Sequence, residues 1–118
     1  MTKNYPEFHK HLKGLVKALG KEMPDSLAGF AELHRTATAD GALSKSMKEL
    51  IALGIGIAVR CDACIAYHVH DALKAGATRA EIVETIGVAV MMGGGPALMY
   101  GAQALEALEQ FSEAQVPA

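Results

Sequence analysis

Apolar residues recur along the chain at steps of three and four. No sustained apolar-polar alternation, and no Asn-Gly or Asp-Gly turn flanked by strand-like runs, interrupts them. The pattern predicts an all-α fold of about six helices. Tyr5 to Leu19 carries Phe8, Leu12, Leu15, Val16 and Leu19 on one stripe, with Gly20 as its expected C-cap. Pro24, Asp25 and Ser26 open a second helix to about Ala37, with Leu27, Phe30 and Leu33 expected inward. Ser44 is the expected N-cap of a third, whose stripe is Met47, Leu50, Ile51, Gly54 and Ala58. The segment from Cys61 forms a fourth helix, stopped near Gly76. Thr78 and Glu81 stand at capping-box spacing before a fifth, with Ile82, Ile86, Ala89, Val90 and Gly93 along its face. The Gly93-Gly94-Gly95-Pro96 break starts a last helix to about Phe111, and residues 112–118 read as a frayed tail.

Composition narrows the class. At 118 residues the chain has the size of a single domain over 1–118. A formal net charge of -2, with no cluster of Lys and Arg, argues against nucleic acid or an anionic membrane as partner. The longest uncharged stretch, Ile86 to Leu105, is broken by three glycines and a proline and does not read as a membrane span. MTKNYPEFHK lacks the apolar region of a signal peptide, so a cytoplasmic location is expected. Half the residues are hydrophobic (51%), many of them Ala, and there is no Trp. A small chain cannot bury so much apolar surface alone, which predicts a homo-oligomer.

Candidate chemistry lies in RCDACIAYHVHDA, residues 60–72, which holds both cysteines. In a reducing compartment a C-x-x-C pair points to redox catalysis, redox sensing or metal binding before a structural disulfide. On a helix Cys61, Cys64 and His68 fall at roughly 0°, -60° and -20°, one narrow face, whereas His70 points about 180° away and is expected at the surface. The helix N-terminus and an imidazole favour thiolate, and the three-residue spacing lets the second sulfur attack whatever forms on the first. A zinc site needs about four ligands, and this face supplies two cysteines and His68, so no metal or cofactor is assigned. Glu49 shares a stripe with Leu53, Gly56 and Arg60. It is either a carboxylate that orients His68 or, three residues after Ser46, part of a capping box. His9, His11 and His34 carry no site signal. The triple glycine lacks the strand and Lys-Ser or Lys-Thr of a phosphate loop, and Met91, Met92 and Met99 read as core or interface filler.

Glu49, eleven intervening residues, Cys61-Asp62-Ala63-Cys64, three more and His68 resemble the active-site signature of the AhpD-like alkylhydroperoxidases in the carboxymuconolactone decarboxylase family. The similarity spans 43–108, including "MKELIALGIGIAVRCDACIAYHVHDALKAGAT" and "MMGGGPALMYGAQALEAL", and leaves 1–42 as N-terminal helices. The resemblance implies a thiol-dependent peroxidase or disulfide reductase in antioxidant defence. In it Cys64 becomes the sulfenic acid, Cys61 donates a proton and resolves, and Glu49 with His68 forms a proton relay. The helix dipole alone favours Cys61 as nucleophile. The resemblance also implies an all-α trimer or hexamer, acting on an organic hydroperoxide or protein disulfide. Its electrons would come from an external thiol, a lipoyl group or a peroxiredoxin partner. Ala63 stands where the best-characterised AhpD proteins have a histidine. The alternatives are a carboxymuconolactone-type decarboxylase, which does not characteristically rely on the dithiol, and a non-enzymatic metal-binding or redox-sensing protein.

Overall fold

The structure, a computed structural model, describes residues 2–115. Among these residues the chain forms six helices and no strand: α1 (Tyr5–Glu22), α2 (Pro24–Thr38), α3 (Lys45–Ala58), α4 (Asp62–Lys74), α5 (Arg79–Gly93) and α6 (Gly95–Gln115). Three of their starts follow from short polar side chains that satisfy the open backbone N–H groups of a first turn. Asn4 accepts from Glu7 N (3.0 Å) and Ser44 Oγ from Met47 N (3.1 Å). Thr78 and Glu81 form the reciprocal capping box, at 3.1 and 2.8 Å. Gly76 (φ 97°) and Gly94 (φ 71°) take the left-handed backbone that turns the chain after α4 and α5, a conformation costly for any residue with a Cβ.

α3 is the central helix, packed most extensively on α4 and α5, while α6 closes the other side against α5 and α4. Leu53 and Ile57 of α3, Ile65 and Val69 of α4, Ile82 of α5 and Leu108 of α6 are fully buried in one core. Each stabilises the fold by roughly 1.5–3 kcal/mol relative to an exposed side chain. α1 lies across α4 and α6, anchored by the fully buried Tyr5, and α2 folds back on α1 with only slight contact to α3.

Four expectations need correction. α1 continues through Gly20 to Glu22, because Gly20 provides close approach rather than a stop: a Cβ there would lie 2.6 Å from Leu27 Cδ2. On α2 no residue is buried, and Phe30 and Leu33 are 64% and 60% exposed, since the chain itself has nothing to cover that stripe. The core-facing side of α3 is Glu49, Leu50, Leu53, Gly56 and Ile57, one step round from the expected stripe, whose Met47 and Ile51 stay exposed. The last helix runs past Phe111 to Gln115, as nothing before Pro117 breaks it; the rest of the expected frayed tail, residues 116–118, lies outside the described residues.

Met47, Ile51 and Ile55 of α3 and Val88 and Met92 of α5 border a groove of about 410 Å³. This apolar face is left without a cover, in keeping with the excess of hydrophobic residues in the composition. Among the described residues no helix is long and apolar enough to cross a membrane.

Candidate active site

The site is built where α3 hands over to α4. Val59 caps α3, and Arg60 adopts a left-handed backbone (φ 60°), which for a residue with a side chain stores about 1–3 kcal/mol of strain. The tight turn brings Cys61 N–H to the Gly56 carbonyl (2.9 Å) and leaves Cys61 as the N-cap of α4, its Sγ accepting from Cys64 N (3.1 Å). Cys61 and Cys64 are joined in a disulfide, with Cα atoms 5.1 Å apart. Both are half-buried. Gly56 is what lets α3 and α4 meet here, for a Cβ on it would stand 2.9 Å from Cys64 Cβ.

Glu49 projects from the first turns of α3 into the interior, 1% exposed, and its Oε1 lies 2.7 Å from His68 Nδ1. The carboxylate accepts, so Nδ1 carries the hydrogen and Nε2 is left to accept a proton. His68 is one turn beyond Cys64 on α4. The cap of α3 is Ser44, which frees Glu49 from the capping role. The structure therefore brings together the residues singled out in the sequence as two contacts: Cys61 with Cys64, and Glu49 with His68.

Other residues at the site carry no sequence signal. Asp62, between the cysteines, accepts from Tyr5 Oη (2.8 Å) and pairs with Lys3. Tyr5 N–H is held by Gln110 Oε1 (2.7 Å), so the chain before α1 is tied to both α4 and α6. Burial, then the negative charge of Glu106, pushes the Tyr5 hydroxyl up to about 12, so it stays a donor to Asp62.

His70 is only partly at the surface, its side chain 27% exposed. It faces α1, hydrogen-bonds Asp71 Oδ1 (2.8 Å) and stacks on the buried His9 at 4.2 Å between centroids. His9 also meets Tyr67 and Phe111 edge-on. Burial, and next the neighbouring His70, holds the His9 imidazole below its ordinary value, with Lys13 adding to the effect and Asp71 opposing it. Burial and then Asp71 push the Tyr67 hydroxyl up. His34 of α2 reaches the same region: its ring nitrogen, a Glu49 oxygen and an Asp71 oxygen lie within 4.8 Å of one another. Four of the five histidines thus gather around two carboxylates. No local pattern announces this, because the residues come from four helices.

His9, His70 and Asp71 also offer atoms within 4.8 Å of one another. The two rings lie 26° from parallel, and His70 Nδ1 is already engaged with Asp71 Oδ1.

This geometry can be set beside known proteins. A match to the carboxymuconolactone decarboxylase family spans residues 24–107. An uncharacterized protein of Cupriavidus necator is 39% identical over 88 residues, which are 75% of this chain and 78% of that one. One from Haemophilus influenzae is 35% identical over 107 residues, 91% of this chain and 95% of its own. The crystal structure of a carboxymuconolactone decarboxylase family protein from Legionella pneumophila superposes with a TM-score of 0.89 at 46% identity, covering 94% of this chain and 99% of the other. A Thermotoga maritima family member, named for a suggested part in the antioxidative response, gives 0.71 at 30% identity over 76% of this chain and 93% of its own. The six-helix fold and the match over most of its length place this chain in the carboxymuconolactone decarboxylase family.

Proposed function

We propose that the protein is a thiol-dependent hydroperoxidase and disulfide reductase of antioxidant defence, cycling between the Cys61–Cys64 disulfide and its dithiol. The observation that carries this reading is a disulfide at the start of α4 with His68 one turn further along the same helix, its ring held by the buried Glu49 carboxylate of α3. His68 Nε2 takes the Cys64 proton. The Cys64 thiolate attacks the peroxide, the O–O bond breaks, and the alcohol leaves with that proton, giving a sulfenic acid. Cys61, held at the helix N-cap where the dipole and the Cys64 N–H favour its thiolate, attacks the Cys64 sulfur; water departs and the disulfide forms. One peroxide has then become alcohol and water, and two thiols one disulfide. An external dithiol, a lipoyl group or a peroxiredoxin partner restores the reduced state. The N-cap position of Cys61 suits a resolving thiolate, and the one-turn spacing to His68 suits Cys64 as the attacking one.

The exposed face of α3 and α5 fits a second copy of the chain, in a trimer or hexamer like that implied by the family resemblance. Peroxide consumption with a dithiol donor, followed in wild type and in Cys64→Ser, tests the reading. Turnover that is lost in the variant supports it, and turnover that survives overturns it.

A further inference from the structure

We infer that His34 and Asp71 connect the Glu49–His68 pair to bulk water and carry protons to the dithiol; the inference rests on the dithiol reading above. Reduction of the Cys61–Cys64 disulfide by an external dithiol breaks one S–S bond and makes another. Two protons that the donor leaves in solution must be returned to the two cysteine thiols. Glu49 is 1% exposed and cannot exchange with solvent by itself, while its Oε1 is committed to His68. Its path outward is set by what surrounds it. Asp71, one turn beyond His68 on α4, and His34, on the exposed surface of α2, each present an atom within 4.8 Å of a Glu49 oxygen and of one another. That distance is spanned by one bridging water, or closed by a small turn of the long-armed groups.

His34, the exposed member of the three, is the outer station. The other titratable groups around it are Glu49 of α3, His68, His70 and Asp71 of α4 and, behind His70, His9 of α1. His70 holds Asp71 Oδ1 at 2.8 Å, which fixes that carboxylate in place. His34 touches neither cysteine and acts through Glu49, which makes it a positioning and proton-delivering residue.

The test follows reduction of the oxidised protein by dithiothreitol in stopped flow, in weak buffer, with thiol formation as the readout. His34→Ala and His34→Gln are both expected to slow the reaction by at least about tenfold, less than the hundredfold typical of an acid–base group at the reacting atom. An excess of imidazole is expected to restore the rate of His34→Ala, and Asp71→Asn to be slowed like the histidine variants. Because His34 is exposed, melting temperatures are expected to stay at the wild-type value. A wild-type rate in either His34 variant, or a slow His34→Ala that imidazole does not rescue, overturns the inference. Absence of peroxide turnover in the wild type would instead refute the peroxidase reading, leaving the exchange kinetics to judge the proton path.

Discussion

Replacing Gly56 by Ala probes the joint on which the site depends. The added methyl would lie 2.9 Å from Cys64 Cβ, 3.7 Å from its carbonyl carbon and 3.9 Å from its Cα. Carbon atoms in contact prefer about 3.5–4.0 Å, so α3 and α4 must separate by some tenths of an ångström where both are buried against the core. Overpacking of this kind costs about 1–3 kcal/mol, partly offset by the gain of up to about 1 kcal/mol that Ala brings to a helix interior. A chain of this length unfolds with an entropy of about 0.25 kcal/mol/K, so against a control that makes the same helix gain the packing penalty lowers the melting temperature by about 4–12 °C. Calorimetry at fixed protein concentration, with subunit association held constant, reads this directly. Gly14→Ala on α1 is the control, since nothing lies within 4 Å of its added methyl, and it is expected to melt at or above the wild-type temperature. The same shift should slow closure of the disulfide, because Cys61 N–H is held by the Gly56 carbonyl. A Gly56→Ala protein that melts with the Gly14→Ala control and closes its disulfide as fast as the wild type would refute the packing argument.

Four further outcomes follow from the structure. The folded protein holds the His9 imidazole below its ordinary value, so below about pH 6.5 the unfolded chain takes up a proton that the folded chain resists. Stability should therefore fall on acidification from pH 7.5 to 5.5, and His9→Phe should flatten that slope; an identical slope in the variant would count against it. Tyr5, at about 12, should remain un-ionised in an absorbance titration to pH 11, and stability should decline between about pH 10 and 12, where only the unfolded chain has lost the proton. Tyr5→Phe, which removes the 2.8 Å bond to Asp62, should cost about 1.5–3 kcal/mol by denaturant melts, and no measurable loss would contradict the assigned role. Met92→Asp, placing a charge on a residue that is 74% exposed beside the apolar groove, should dissociate the proposed oligomer in sedimentation velocity without unfolding the chain. A wild type that sediments as a monomer would oppose the assembly.

Much of the fold is legible in the sequence because caps and breakers are local. Ser44, Thr78 with Glu81, Gly76 and the break at Gly94 act through neighbouring backbone and fall where the residue types place them. What periodicity leaves open is which face of an apolar helix meets the core. α3 is apolar on two sides, and the sequence could not say that Leu53 and Ile57 face inward while Met47 and Ile51 face out. Gly20 shows the same limit, since a glycine that admits Leu27 reads like one that ends a helix. At the site, the C-x-x-C and His68 are one local unit and could be read as such. The pairing of Glu49 with His68, 19 residues apart, is one of two readings that the stripe of α3 allows, and the packing of α3 on α4 brings it about. Tyr5, Lys3, His9 and His34 reach the site through helix packing alone. His70 is only partly exposed because the face opposite the cysteines looks in part to α1.

The proposed cycle is tested most directly by intact mass and free-thiol count of the reduced protein before and after one equivalent of an organic hydroperoxide, with Cys61→Ser alongside. The account predicts loss of both thiols as the Cys61–Cys64 disulfide in the wild type, and a sulfenic acid trapped at Cys64 in the variant. Two thiols still reduced after peroxide, or a sulfenic acid that never forms at Cys64, would contradict it.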